Sequence, residues 1–373
     1  MRKTTNTKRK RRRRRRRQWL MAMVAAADEY LRGSLTVQDF AWPEHERPDL
    51  PFDSFENDDD FPVFDLSQLQ VSYSASDPGD IAGKLVKDMA AAAADWGFFR
   101  VVNHNVSMEL VAQVEALAHR FFQLPASQKL MVARTSELPF GFSGSETHVR
   151  VKNWTETLQI PWGRDMITRI AEKAWTSEGE RQQFIDIMHE YCVAMGKLAE
   201  LLVEVLLQGL GLEAKCLNEH LGSNSLSPLR LNYYPPCPEP DLTFGTQTHT
   251  DSGIITILHQ DSIGGLQVLK KGRWVLVRPQ EGSFIVNLGD LLQVWSNCKY
   301  RSTLHRAVVN SFATRLSMRF FYNPIDEAVI APLEMLVDQS HPAKYKPFNW
   351  AEYRKQFALA KARKHSPIVS YEI

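Results

Sequence analysis

The chain has 373 residues, 44% of them hydrophobic and 24% charged, which excludes a wholly disordered protein and leaves enough apolar side chain for a large core. Its formal charge of +2 conceals an asymmetry: twelve of the 45 cations lie in the first seventeen residues, and without them 33 cations face 43 acids, a net charge of −10. The acidic body argues against a globally basic nucleic-acid-binding domain, and the lack of any run of eighteen apolar residues excludes a membrane-spanning helix.

The cation run 8–17 followed by the apolar stretch 19–27 has three readings: a solvated leader, which is favoured, a nuclear-localisation or polyanion-binding tail, or a short signal peptide. Residues 41–60 mix proline and acids without a period and read as a linker, so folding is expected to begin near Phe61. Residues 61–66 read as a strand, 81–96 as an Ala-rich helix stopped by Gly97, 98–102 as a buried strand and 108–122 as a helix broken by Pro125. Residues 180–208 form the longest stretch of helical period, closed by Gly209 and Gly211, and their Met and aromatic stripe is core. Beyond 228 the pattern turns to short β runs at 229–234, 253–258, 265–269, 274–277, 283–288, 304–310 and 315–322. Such spacing predicts a sandwich or barrel, and a jelly roll is the economical choice because its open end can enclose a metal and a small substrate.

Four cysteines, Cys192, Cys216, Cys237 and Cys298, form no CxxC pair, which fits a reducing compartment and an expected cytoplasmic location, with the nucleus as the alternative that the basic leader opens. The most informative triplet is His249-Thr250-Asp251. In a strand, residues two apart share a face, so an imidazole and a carboxylate can meet one ion. His305 lies far enough along the chain for several strands to return it to the same mouth as a third ligand. Two His and one carboxylate on one face of an octahedron are the arrangement of non-haem Fe(II) oxygenases. Ten residues past His305, Arg315-Leu316-Ser317 places a guanidinium and a hydroxyl on one face, a grip for the second carboxylate of a dicarboxylic co-substrate. Singly, Arg315 reads as an exposed strand charge and Ser317 as filler; jointly they do not.

These residues occur in an order that resembles the plant-type 2-oxoglutarate and Fe(II)-dependent dioxygenases, the group of gibberellin oxidases and flavonol and anthocyanidin synthases. The resemblance covers about residues 61–357 and rests on Trp96-Gly97-Phe98-Phe99, Asn232-Tyr233-Tyr234-Pro235-Pro236-Cys237-Pro238, His249-Thr250-Asp251, Val286-Asn287-Leu288-Gly289-Asp290 and Arg315-Leu316-Ser317. It implies an α+β fold with a double-stranded β-helix (jelly-roll) core flanked by helices and an N-terminal α/β region. The expected division is a disordered leader and linker at 1–60, an N-terminal dioxygenase region at 61–180, scaffold helices at 181–225, the catalytic core at 226–330, and a C-terminal helix and tail at 331–373.

By position, the resemblance implies His249, Asp251 and His305 as Fe(II) ligands, Arg315 and Ser317 as the grip on 2-oxoglutarate, and Asn232 and Tyr234 beside it. It implies Phe142, Arg230, Phe321 and Asn323 as the substrate pocket, O2 as co-substrate and ascorbate as reductant. The expected reaction is hydroxylation or desaturation of a small molecule of hormone or specialised metabolism, releasing succinate and CO2. His104 and His259 are treated as structural. Segments such as Thr256-Ile257-Leu258-His259-Gln260-Asp261 look most like gibberellin 20-oxidases, whereas Thr155 and Thr250 depart from the Lys and Cys found there. Gibberellin-type oxidation therefore stands as an alternative, beside an iron oxidase of this fold that does not use 2-oxoglutarate and a nucleic-acid-binding protein working through its polycationic tail. The partner expected is a small molecule, with no specific nucleic acid and no membrane; the oligomeric state is left open.

Overall fold

The computed structural model describes residues 36–49, 52, 60–71, 79–135, 140–144, 151–217, 220–221, 227–360 and 366–373. The cation run and the apolar stretch behind it lie outside the described residues. Fourteen strands are present among the described residues: β1 Val63–Asp65, β2 Phe98–Val102, β3 Gly141–Ser143, β4 Glu156–Pro161, β5 Pro228–Tyr234, β6 Thr246–His249, β7 Ile255–Gln260, β8 Leu266–Lys270, β9 Arg273–Val277, β10 Ser283–Leu288, β11 His305–Ala307, β12 Arg315–Tyr322, β13 Val329–Ile330 and β14 Phe348–Asn349. Eight of them form one sheet in the order β1-β2-β10-β7-β12-β5-β4-β3, and four form a second in the order β6-β11-β8-β9. Apart from the parallel β1–β2 pair, all pairings are antiparallel. Mixed helices and facing antiparallel sheets make this the expected α+β jelly roll.

The large sheet is covered on both faces, and its strands record that in their alternation. On β12, Leu316, Met318, Phe320 and Tyr322 join the main apolar core, while Arg315, Ser317, Arg319 and Phe321 take the other face. On β5, Leu229 and Leu231 join the same core and Arg230, Asn232 and Tyr234 oppose the inward set of β12. The helix Glu178–Gly209 seals the outer face with Phe184, Met188, Tyr191, Met195 and Leu202 fully buried, as its spacing requires. Gly97, at φ +65°, makes the reversal between the helix Gly79–Asp95 and β2.

The N-terminal region shares the core's large sheet: β1 to β4 complete the eight-stranded sheet at both of its edges. One expectation about organisation changes. Residues 36–49, expected as part of the disordered leader and linker, lie on the barrel instead. Phe40 meets Trp154 edge-on at 5.0 Å and Trp42 meets Phe244 at 5.5 Å. Trp42 N–H donates to the Leu242 carbonyl at 2.8 Å, and Arg306 pairs with Asp49 at 2.6 Å. Proline and acids gave this segment a linker's composition, but two aromatic side chains and one carboxylate suffice to dock it.

Candidate active site

His249 is the last residue of β6 and His305 the first of β11, and the two are direct cross-strand partners. Their rings therefore lie 4.2 Å apart between centroids. Asp251 does not share the strand of His249, as the same-face reading assumed. It follows the end of β6 and is held by its own backbone, whose carbonyl accepts from Asp290 N–H at 2.8 Å. Its Oδ1 lies 3.5 Å from His249 Nε2 and 3.8 Å from His305 Nε2. Among the described residues these three are the one group of His, Cys, Asp or Glu arranged to hold a metal ion.

Each side chain is oriented by a second contact. His249 Nδ1 lies 2.8 Å from the Gln247 carbonyl and His305 Nδ1 3.1 Å from the Thr303 carbonyl. A carbonyl only accepts, so both Nδ1 atoms carry the proton and both Nε2 lone pairs face Asp251. Asp251 Oδ2 accepts from Thr256 Oγ1 at 2.5 Å and from Asn287 Nδ2 at 2.8 Å, which leaves Oδ1 for the imidazole side. Burial alone would raise the Asp251 pKa, but the His305 and His249 imidazoles beside it and the Asn287 hydrogen bond outweigh it and hold the carboxyl well below its usual range. Burial, with the charge of His249 beside it, pushes His305 down to about 3. A carboxylate oxygen and two imidazole Nε2 atoms are the donor set a divalent transition metal takes.

Next to the trio, Arg315 faces Tyr234 and Ser317 faces Asn232 across the β12–β5 pairing. The Arg315 guanidinium carbon sits 4.8 Å from the Tyr234 ring centre. Arg315 Nε and Nη1 are buried donors without a hydrogen-bond partner, and Asn232 Oδ1 is a buried acceptor without one, so the site holds unmet guanidinium N–H groups of the kind that bind a carboxylate. Burial would raise the Tyr234 phenol, yet the charges of Arg319 and Arg315 outweigh it and lower it. His249 and His305 line one cavity with Tyr234, Arg315, Ser317 and Arg319.

Residues 225–324 match the 2OG-Fe(II) oxygenase superfamily, and residues 61–177 match the family described as non-haem dioxygenase in morphine synthesis N-terminal. The chain is 35% identical over 327 residues to gibberellin 20 oxidase 1 of Arabidopsis thaliana, spanning 84% of this chain and 82% of that one. It is 36% identical over 324 residues to flavanone 3-dioxygenase 2 of Oryza sativa subsp. japonica, spanning 84% and 88%. The chain belongs to the 2OG-Fe(II) oxygenase superfamily. Among solved structures, JOX2 in complex with 2OG, Fe and JA superposes on this oxygenase with a TM-score of 0.76 at 31% identity, covering 91% of this chain and 94% of that chain. The oxygenase accordingly requires Fe(II), 2-oxoglutarate and O2.

Of the four residues expected to line the oxygenase's substrate pocket, three are inward. Arg230 and Phe321 lie side by side, the guanidinium carbon 5.6 Å from the ring centre, and Arg230 donates to Gln159 at 2.8 Å. Asn323 is buried just past the end of β12, against Gly253. Phe142 is a correction: it is the cross-strand partner of Leu158, on the helix-facing side, and packs 6.0 Å from Phe121 in the main core. The β3 register, unreadable from spacing, turned it outward. Thr256 and Asn287 were missed as supports of Asp251. Their signal is a polar residue set between apolar strand neighbours, Thr256 between Ile255 and Ile257 and Asn287 between Val286 and Leu288.

His104 and His259 lie in a second histidine pair on the outer face. His259 donates to Glu115 at 2.8 Å, and His104 stacks on Phe284 at 4.2 Å. Burial, aided by the charge of His259, lowers His104 to about 4. Between that value and the unfolded pKa of about 6.5, the unfolded chain takes up a proton that the folded chain refuses, so this contribution is complete above pH ~6.5 and fades as pH falls toward 4. His104→Asn should accordingly flatten the acid limb of a stability-versus-pH curve by roughly 2–3 kcal/mol. Urea titrations at pH 7 and pH 4.5 check this, and parallel curves for both proteins would refute it.

Proposed function

We propose that His249, Asp251 and His305 hold one Fe(II), that Arg315, Ser317, Tyr234 and Asn232 hold 2-oxoglutarate, and that Arg230, Phe321 and Asn323 receive a small organic molecule of hormone or specialised metabolism. The orientation of the trio carries this reading: both Nε2 atoms and Asp251 Oδ1 converge because every other polar atom of the three side chains is already bonded. When bound, Fe(II) and 2-oxoglutarate supply the oxidising chemistry by which O2 hydroxylates or desaturates a C–H bond, with loss of succinate and CO2. The chain's own share is placement and dryness. Thr256 and Asn287 fix Asp251, the Gln247 and Thr303 carbonyls fix both imidazole tautomers, and Leu258, Leu266, Val268 and Ile285 form an apolar cluster that screens one side from water.

Identities of 35% to a gibberellin oxidase and 36% to a flavanone dioxygenase leave the substrate at the level of a small organic molecule. The test is succinate release by the Fe(II)-loaded chain with ascorbate, against a panel of diterpenoid acids, other hormone acids and flavonoids. One class should raise succinate formation well above the substrate-free rate. Product formation without 2-oxoglutarate would instead establish the iron-oxidase reading, and no 2-oxoglutarate consumption at all would overturn the proposal. The four cysteines are free and no described helix is long and apolar enough to cross a membrane, both in keeping with a cytoplasmic location. Imaging the chain with and without residues 1–17 tests whether the basic leader directs it to the nucleus.

A further inference from the structure

Arg319 has no place in the site as built so far. It stands on β12 two positions past Ser317 and four past Arg315, so its side chain shares their inward face. Only 7% of it is exposed, its Nε has no hydrogen-bond partner, and no carboxylate of the described residues pairs with it. A guanidinium cannot shed its proton, so a buried one without a counter-ion is costly unless an anion arrives.

The surroundings say where that anion sits. Arg319 and Arg315 line the same cavity as Tyr234, His249 and His305. The one acid of the trio, Asp251, is committed to Thr256, Asn287 and the imidazoles. Arg230, directly opposite Arg319, is engaged by Gln159. Pairing with β7 orders the inward row: Ser317 faces Gln260, Arg319 faces Leu258, and Phe321 faces Thr256, the residue that holds Asp251. Arg319 is thus one step nearer the trio than the Arg315–Ser317 pair. The cavity offers two guanidinium groups in sequence along one strand, and 2-oxoglutarate brings two carboxylates.

We propose that Arg319 is a second carboxylate-binding residue for the co-substrate: Arg315 with Ser317 takes the distal carboxylate, and Arg319 takes the carboxylate beside the keto group. This rests on the reading of the cavity as the 2-oxoglutarate site. The keto end is the one that must meet the metal, and Arg319 is the cation on that side.

Two ligands separate the ends: 2-oxoglutarate, and 2-oxopentanoate, which lacks the distal carboxylate. Each is titrated by calorimetry, without oxygen, into the Fe(II)-loaded full chain and its R319A, R319Q and R315A variants, with melting midpoints to confirm folding. Both Arg319 variants should weaken both ligands alike, by about ten- to hundredfold. R315A should weaken 2-oxoglutarate by a similar factor and leave 2-oxopentanoate unchanged. R319Q, close in volume and still polar, decides the matter should R319A fail to fold. Wild-type affinity for both ligands in the Arg319 variants would overturn the assignment and leave Arg319 to an anionic group of the substrate. Weakening of 2-oxoglutarate alone would overturn it too, placing both arginines on the distal end. A wild-type chain that binds neither ligand would defeat the parent reading.

Discussion

His305→Ala should abolish Fe(II) retention and succinate release together. Groups that merely orient a ligand typically cost 10–100-fold in metal affinity when removed, so the loss of a ligand itself should exceed about a hundredfold. The fold should survive. The imidazole is packed edge-on against Phe98 at 5.2 Å and beside His249 at 4.2 Å, and truncating such a side chain leaves a cavity costing roughly 2–4 kcal/mol. Asp251→Ala should be equally inactive but less stable, because Asn287 and the Thr256 hydroxyl would lose a buried acceptor, at about 1–3 kcal/mol for each unsatisfied donor. Metal content after desalting, read beside the melting midpoint, separates the two effects. Full activity in His305→Ala would sink the ligand assignment.

The second large effect is expected at Arg315. Its Nε and Nη1 are buried without partners, so the side chain is poised for a carboxylate and unsatisfied without one. Arg315→Ala should raise the KM for 2-oxoglutarate by about ten- to hundredfold, the scale of a lost charged hydrogen-bond pair at ~1.5–3 kcal/mol. Arg315→Lys should recover little of it, since an ammonium replaces a planar fork with a point charge. A KM unchanged in both variants would mean that the carboxylate binds elsewhere.

Local periodicity carries a long way in this chain. The alternation of Arg315-Leu316-Ser317-Met318-Arg319-Phe320-Phe321-Tyr322 marks a strand with one apolar face and one chemical face, which is how β12 is built. The strands expected at 98–102, 283–288 and 315–322 and the helix at 108–122 have the expected bounds. The helix expected at 180–208 runs Glu178–Gly209. Strands β3 and β4 escaped notice because β3 is three residues long and β4 interrupts Leu158, Ile160 and Pro161 with Glu156, Thr157 and Gln159; they exist as strands because β4 pairs with β5 and β3 with β4.

By itself the sequence determined which residues are candidates for the chemistry: two histidines and an aspartate in metal-ligand order and an Arg–Ser pair beyond them on an alternating strand. Of these, the Arg–Ser pair and its alternation are properties of neighbours on one strand, set by its two-residue period. Only the tertiary structure decided that His249 faces His305, that Thr256 and Asn287 converge on Asp251, that Phe142 turns toward the helices, and that residues 36–49 dock on the barrel. Apart from Thr256 and Asp251, five positions apart, these join residues far apart in sequence. A one-residue shift in strand pairing would turn His305 and Phe142 to the opposite faces while leaving the periodicity unchanged.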